Sequence, residues 1–308
     1  MKKMMLKTQC MLCPRNCKAD RKNGQKGYCG AADKIQVARA SLHMWEEPCI
    51  SGDKGSGTIF FSGCPLRCIF CQNRDIALGN KGIYLSESEL SAVFLRLQEK
   101  GAHNINLVTP THFVPQIVCA LNLAKEKGLK IPIVYNTGSY EKTETIQQLE
   151  GLVDIYLPDL KYISSKLSSQ YSNAPDYFVI ADRAIAEMVR QIGKPVFAGN
   201  IMRRGVIVRH MVIPGHTNEA KEIISHLYYK YGNDIYISIL NQYTPHGDLT
   251  NYPEIARTVT RREYQKVVDY AITIGVENAF IQEGNTAKES FIPDFDELGL
   301  LEIPLRTL

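Results

Sequence analysis

The chain has 308 residues, 44% of them apolar and 22% charged, with a formal net charge of +4. That length can bury a full core as one large or two small domains. Its basic residues are scattered among nearly as many acids, which argues against a nucleic-acid-binding surface. No window of about 18 apolar residues occurs, so no membrane span is predicted. The basic start runs into cysteines instead of an apolar signal core, and a cytoplasmic location is expected.

Eight of the nine cysteines fall within the first 71 residues. In a reducing compartment such crowding points to metal binding by thiolates, either zinc or iron–sulfur. Residues 1–50 are expected to be a Cys-rich metal-binding module with its linker, and residues 51–308 the main domain. In the module, Cys10, Cys13, Cys17 and Cys29 are spaced C-x2-C-x3-C-x11-C. Four soft ligands can close a structural zinc site or hold a second iron–sulfur cluster, and the spacing fits both. The Lys and Arg residues around them are expected on a solvated surface. In the linker, Trp45 is expected to pack, and Glu46 and Glu47 to lie on a solvated loop.

From residue 57 short β-branched apolar runs alternate with helical patterns. The expected strands are "TIFFSG", "NINLVTP", "IPIVYNTG", "VDIYLPDL", "GVIVRHMVIPG" and "DIYISILNQYT", with a short last one in "ENAFIQEG". The clearest helix opens at Ser86 with Glu89 three residues on, a capping-box pattern, and carries Leu90, Val93, Phe94 and Leu97 on one face. Nearly continuous apolar strands separated by helices imply a parallel α/β sheet. An open partial barrel and a doubly wound sheet both satisfy the pattern.

The first strand runs directly into "GCPLRCIFC", which places Cys64, Cys68 and Cys71 where parallel α/β proteins carry their chemistry. Three thiolates can hold three irons of a [4Fe–4S] cube and leave the fourth iron open. Phe70 can press an aromatic face on such a site, and Gly63 permits a sharp turn off the strand. The competing explanation is zinc bound with help from Cys49 or Cys119; both are more simply small core hydrophobes.

A C-x3-C-x2-C loop after the first strand resembles the radical S-adenosylmethionine (SAM) enzymes. The resemblance implies a partial (β/α)6 TIM-like barrel, a [4Fe–4S] cluster on Cys64, Cys68 and Cys71, and SAM chelated by the open iron. Reductive cleavage of SAM would then yield a 5′-deoxyadenosyl radical that abstracts hydrogen from a partner. "MWEEPCISGDKGSGTIFFSGCPLRCIFCQN", "NINLVTPTHFVPQI" and "VRHMVIPGHTNE" are similar to the pyruvate formate-lyase activating enzyme-like, PflX-type branch.

By that resemblance the strand ends hold SAM. Thr109 and Thr111 stand where relatives receive the methionine ammonium. His112 beside them is expected to be solvated or to cap a helix. Asn136 and Thr137 resemble the activases' Asp-Thr-Asn-Gly turn, and "PDLKY" their Asp-Leu-Lys motif. Asp159 and Lys161 would then approach the methionine part, and Arg209 its carboxylate or the ribose. The sixth strand departs from the activases' Pro-Tyr-His, so Gln242, Tyr243 or His246 must substitute. The partners implied are an electron donor such as flavodoxin or ferredoxin and a protein or peptide substrate. A small-molecule substrate, lidded by the module or by the tail "DELGLLEIPLRTL", and a non-catalytic electron carrier are the alternatives.

Overall fold

A computed structural model describes residues 9–282. Its ten strands are β1 (Ile35–His43), β2 (Ser56–Phe61), β3 (Ile83–Leu85), β4 (Ile105–Val108), β5 (Ile133–Thr137), β6 (Ile155–Pro158), β7 (Val196–Ala198), β8 (Ile201–Met211), β9 (Tyr236–Leu240) and β10 (Ala279–Ile281). They form one sheet in the order β10-β9-β8-β6-β5-β4-β2-β1-β3, with β7 paired to β8 as a side hairpin. Every pairing from β2 through β4, β5, β6, β8 and β9 to β10 is parallel. This is the expected α/β architecture, a parallel sheet curled into a partial barrel. The tail "DELGLLEIPLRTL" and the last residues of "ENAFIQEG" lie outside the described residues.

The apolar runs became strands because both their faces are covered. β2, β4, β5 and β6 are buried at every position. The helix Glu87–Glu99 has the capping box its sequence announces, with Ser86 accepting from the Glu89 amide and Glu89 reaching back. A second box on Thr260 and Glu263 starts the helix Arg261–Thr273.

Three strands were not anticipated, β1, β3 and β7, and β1 matters most for the site. β1 lies inside the stretch expected as module and linker, and it pairs antiparallel with β2 and with β3. It carries the chain along the sheet edge to residues 44–47, which therefore sit against the barrel. Among the described residues no helix is long and apolar enough to cross a membrane.

Candidate active site

Cys64, Cys68 and Cys71 lie on the loop that leaves β2. The loop begins at Gly63, whose φ of +97° is strained for any other residue, and whose missing side chain makes room for the Cys29 carbonyl, 2.6 Å from where a Cβ would sit. The Cys64 amide donates to that same carbonyl at 3.1 Å. A turn from the Cys68 carbonyl to the Cys71 amide (3.1 Å) holds the last two cysteines together.

The three thiols suit a cluster. Burial pushes Cys64 up to about 11 and Cys71 up to about 12, and the charge of Cys68 adds to both shifts, while Lys161 opposes them. Thiols this close are stabilised as thiolates by a metal. Donors to sulfur are already placed: the Leu66 amide to Cys64 Sγ at 3.4 Å and the Ser172 hydroxyl to Cys68 Sγ at 3.0 Å. Hydrogen bonds to the sulfurs are a main control of cluster potential. Among the described residues no three His, Cys, Asp or Glu side chains converge as ligands of a single ion. Three thiolates on one loop can hold three irons of a cubane and leave the fourth iron open.

Phe70 is buried between Tyr171 and Tyr243 and lines the same cavity as Cys68 and Cys71. That cavity has a volume of about 1330 Å³, larger than the roughly 300–1,000 Å³ usual for one small ligand. Its lining includes Asn136, Asp159, Lys161, Arg209 and Gln242 at successive strand ends.

These polar residues form one network. Asp159 takes Arg209 Nε on one oxygen at 2.8 Å and Lys161 Nζ on the other at 2.7 Å. Arg209 also donates to Asn136 Oδ1 at 2.6 Å and approaches Glu46 Oε2 at 3.3 Å. Burial works against the Asp159 carboxylate, but Arg209 and Lys161 overcome it and hold the carboxyl below its usual range. Burial likewise pulls the Lys161 ammonium down, and Asp159 with Cys68 more than offsets it. The Gln242 carbonyl accepts from Gln72 at 2.7 Å, tying the sixth strand end to the cysteine loop. Of the other candidates there, Tyr243 packs on Phe70 and His246 is only partly buried.

The structure does not bring the threonines to the cavity. Thr111 and Thr137 are buried, and both hydroxyls donate to Glu141 Oε1 at 2.6 Å. Thr109 bonds through its backbone to Asn136 at 2.9 Å, in a left-handed conformation. His112 is neither solvated nor a cap; it is buried, and its ring bonds the Ser62 carbonyl at 2.7 Å.

Glu141, which the sequence did not mark, accepts a third bond from Tyr135 at 3.1 Å and is 1% exposed. Burial pushes its carboxyl up to about 7 despite these donors. A carboxyl raised on folding holds a proton that the unfolded chain releases, so it costs stability as pH rises from its ordinary value of 4.5 to about 7. Glu141→Gln is therefore expected to remove a slope approaching about 1.4 kcal/mol per pH unit. Melting curves between about pH 5 and pH 8 check this: wild type should lose ground to the variant as pH rises, and parallel curves would contradict it.

The acids of the linker also differ from expectation. Glu47 is buried, and burial pushes it up to about 7; the Glu46 side chain is 10% exposed beside Arg209. Neither lies on a solvated loop, because β1 delivers them to the barrel mouth. Trp45 is 66% exposed at the cavity wall. Cys49 is buried as expected, whereas Cys119 is exposed.

The N-terminal cysteines gather at one place. The Cys17 and Cys29 sulfurs both flank Gly27, and Cys13 and Cys29 are raised by burial, each with added repulsion from the other cysteines of the set. The basic residues around them are not simply solvated. Arg15 bonds the carbonyls of Pro65, Ser172 and Asn173, and buried Arg21 bonds those of Ala32 and His112. Lys142 and Thr145 bond back to Met11 and Leu12 at 2.9 and 2.6 Å. The cysteine module is thus latched onto the loop that carries the other three cysteines.

The model of the radical SAM superfamily matches residues 58–227. An uncharacterized protein of Methanocaldococcus jannaschii is 28% identical over 271 residues, 85% of this chain and 74% of that one. The pyruvate formate-lyase-activating enzyme of Streptococcus mutans is 26% identical over 180 residues, 54% of this chain and 62% of the enzyme. The crystal structure of HydG, a maturase of the [FeFe]-hydrogenase, superposes with a TM-score of 0.51 at 17% identity. It covers 74% of this chain, which spans about half (52%) of that maturase.

Proposed function

This chain belongs to the radical SAM superfamily, and from that premise we propose that it cleaves SAM reductively and passes the radical to a partner in the activating-enzyme manner. Membership implies a [4Fe–4S] cluster and SAM. Bound on Cys64, Cys68 and Cys71, the cluster supplies the electron for cleavage and an open iron for the methionine head.

The remaining roles fall to side chains. Lys161 and Arg209 present fixed positive charge toward a carboxylate, and Asp159 holds both in place and offers its oxygens to an ammonium. Asn136 fixes the second face of the Arg209 guanidinium. Gln242, on the far wall, is the candidate for the adenosine side. Thr111 and Thr137 support the site through Glu141 and do not face SAM. The observation that carries the reading is the placement of Cys68, Cys71, Asp159, Lys161 and Arg209 on one cavity with room for SAM and a second molecule.

The N-terminal cysteines are assigned one metal centre that staples the module. Either a closed structural zinc or a second iron–sulfur cluster satisfies four cysteine ligands. Similarity to the activating enzyme covers half the chain, and it supports a protein or peptide partner, with flavodoxin or ferredoxin as reductant.

Lys161→Ala is expected to weaken SAM binding by about 10- to 150-fold, the worth of one charge-assisted hydrogen bond of roughly 1.5–3 kcal/mol. Iron content should not change, because Lys161 is not a ligand. Anaerobic equilibrium dialysis with labelled SAM measures it; equal affinity in the variant would remove Lys161 from the site.

A further inference from the structure

The cavity is lined on one side by groups that SAM chemistry does not use. The segment 45–47 crosses its mouth, held by β1 before it and by the helix Pro48–Ser51 after it. Glu47 is 6% exposed and lines the cavity, yet its Oε2 has no hydrogen-bond partner. Burial pushes its carboxyl up to about 7, while the Arg209 charge and the Ser238 hydroxyl on β9 work against that rise, so a cation at the open oxygen would favour the ionised form. Burial raises the Glu46 carboxyl, and Arg209 together with a hydrogen bond from Asn106, a fully buried residue of β4, works against that rise.

Charge makes the imbalance specific. Glu46, Glu47 and Asp159 supply three carboxylates to this wall, and Lys161 and Arg209 two cations. Both cations already bond Asp159, and Arg209 reaches only Glu46 of the other two. Glu47 is left as an acceptor aimed into the cavity. Aromatic rings stand nearby on the same wall: Phe197 meets Tyr236 edge-on, and Tyr236 stacks on Phe280. An unpaired buried acceptor, excess negative charge and aromatic surface together select a cation bearing N–H donors.

The geometry points to a substrate subsite on Glu46 and Glu47 that takes an alkylammonium or alkylguanidinium group of the molecule attacked by the radical. This rests on the proposed SAM chemistry for the meaning of "substrate", but the binding itself does not require turnover. The guanidinium or ammonium would fill the open Glu47 oxygen. Its alkyl stem would lie along the aromatic wall of the same cavity.

The test uses reconstituted holoprotein with saturating SAM under anaerobic conditions. Trp45 is the only tryptophan of the chain and lines the cavity, so its emission reports occupancy. Butylguanidinium and butylammonium are titrated against two isosteres, neutral butylurea and anionic pentanoate. The expected result is saturable binding of the cations at least tenfold tighter than butylurea, with none for pentanoate. Glu47→Gln, of equal size, should cut cation affinity at least tenfold and leave butylurea unaffected. Should that variant fail to fold, the wild-type ranking decides alone. Equal binding of butylurea and butylguanidinium, or displacement of SAM by the cations, would overturn the subsite. Wild type that binds no SAM in the same experiment would overturn the proposed function instead, while cation binding would still be read.

Discussion

Replacing Cys64, Cys68 and Cys71 together with alanine is expected to remove one cubane, about four irons and four sulfides per chain, and to abolish SAM cleavage. The physical basis is ligand count. Under the proposed assignment each of the three cysteines would hold one iron, so removing all three leaves the cubane without protein ligands. Burial keeps Cys64 and Cys71 as thiols without metal, and alanine is apolar, so the loop has no reason to unfold. Any metal left in the triple variant would be read as bound by Cys10, Cys13, Cys17 and Cys29. Iron with sulfide there identifies a second cluster, stoichiometric zinc a closed structural site, and neither metal in folded protein removes the proposed module centre. Anaerobic reconstitution followed by iron, sulfide and zinc analysis reads all of this. Unchanged iron and sulfide in the triple variant would contradict the cluster assignment.

Arg209→Ala is expected to be the most damaging single change to stability. It leaves Asp159 and Glu46 buried at one strand end, and Glu46 without its only strong cation. Breaking one side of a buried ion pair costs about 3–5 kcal/mol, roughly 5 to 8 °C in melting temperature for a chain of this size. The pH dependence has a definite sign. In the wild type Asp159 is held below its usual range, so its contribution is present at neutral pH and lost as pH falls through its folded value. Without Arg209 the carboxyls prefer to be protonated, so the variant recovers as pH falls. The gap between the two melting curves should therefore narrow toward acid. Asp159→Asn in the variant background should restore part of the loss at neutral pH. A gap of under about 1 kcal/mol, constant with pH, would show that the network is solvated.

The parallel strands were legible because β2, β4, β5 and β6 are buried on both faces and so are spelled almost wholly in apolar residues. β1 was hidden for the opposite reason. It is next to the sheet edge, with Gln36 and Arg39 between its apolar positions, and it follows a cysteine-rich stretch that dominates the local composition. Missing β1 displaced Glu46 and Glu47, since a pair of acids after an unstructured linker reads as solvated. The cysteine loop and the "PDLKY" turn were visible as local patterns. Thr111 and Thr137 show the limit of such patterns: their place in the sequence is a strand end, but their hydroxyls are claimed by Glu141, a residue whose burial depends on contacts among β4, β5 and the loop after it. No spacing rule records that competition. The grip of Arg15 and Arg21 on carbonyls far along the chain was equally invisible, because it depends on tertiary placement alone.

The central claim is that the cysteine loop and the charged strand ends act together on SAM. Its most direct test is anaerobic incubation of reconstituted protein with SAM and dithionite, following 5′-deoxyadenosine and methionine by chromatography. Equal amounts of the two products are predicted, formed slowly without the partner and absent from the triple cysteine variant. Protein with a full, reducible cluster that forms neither product would contradict it.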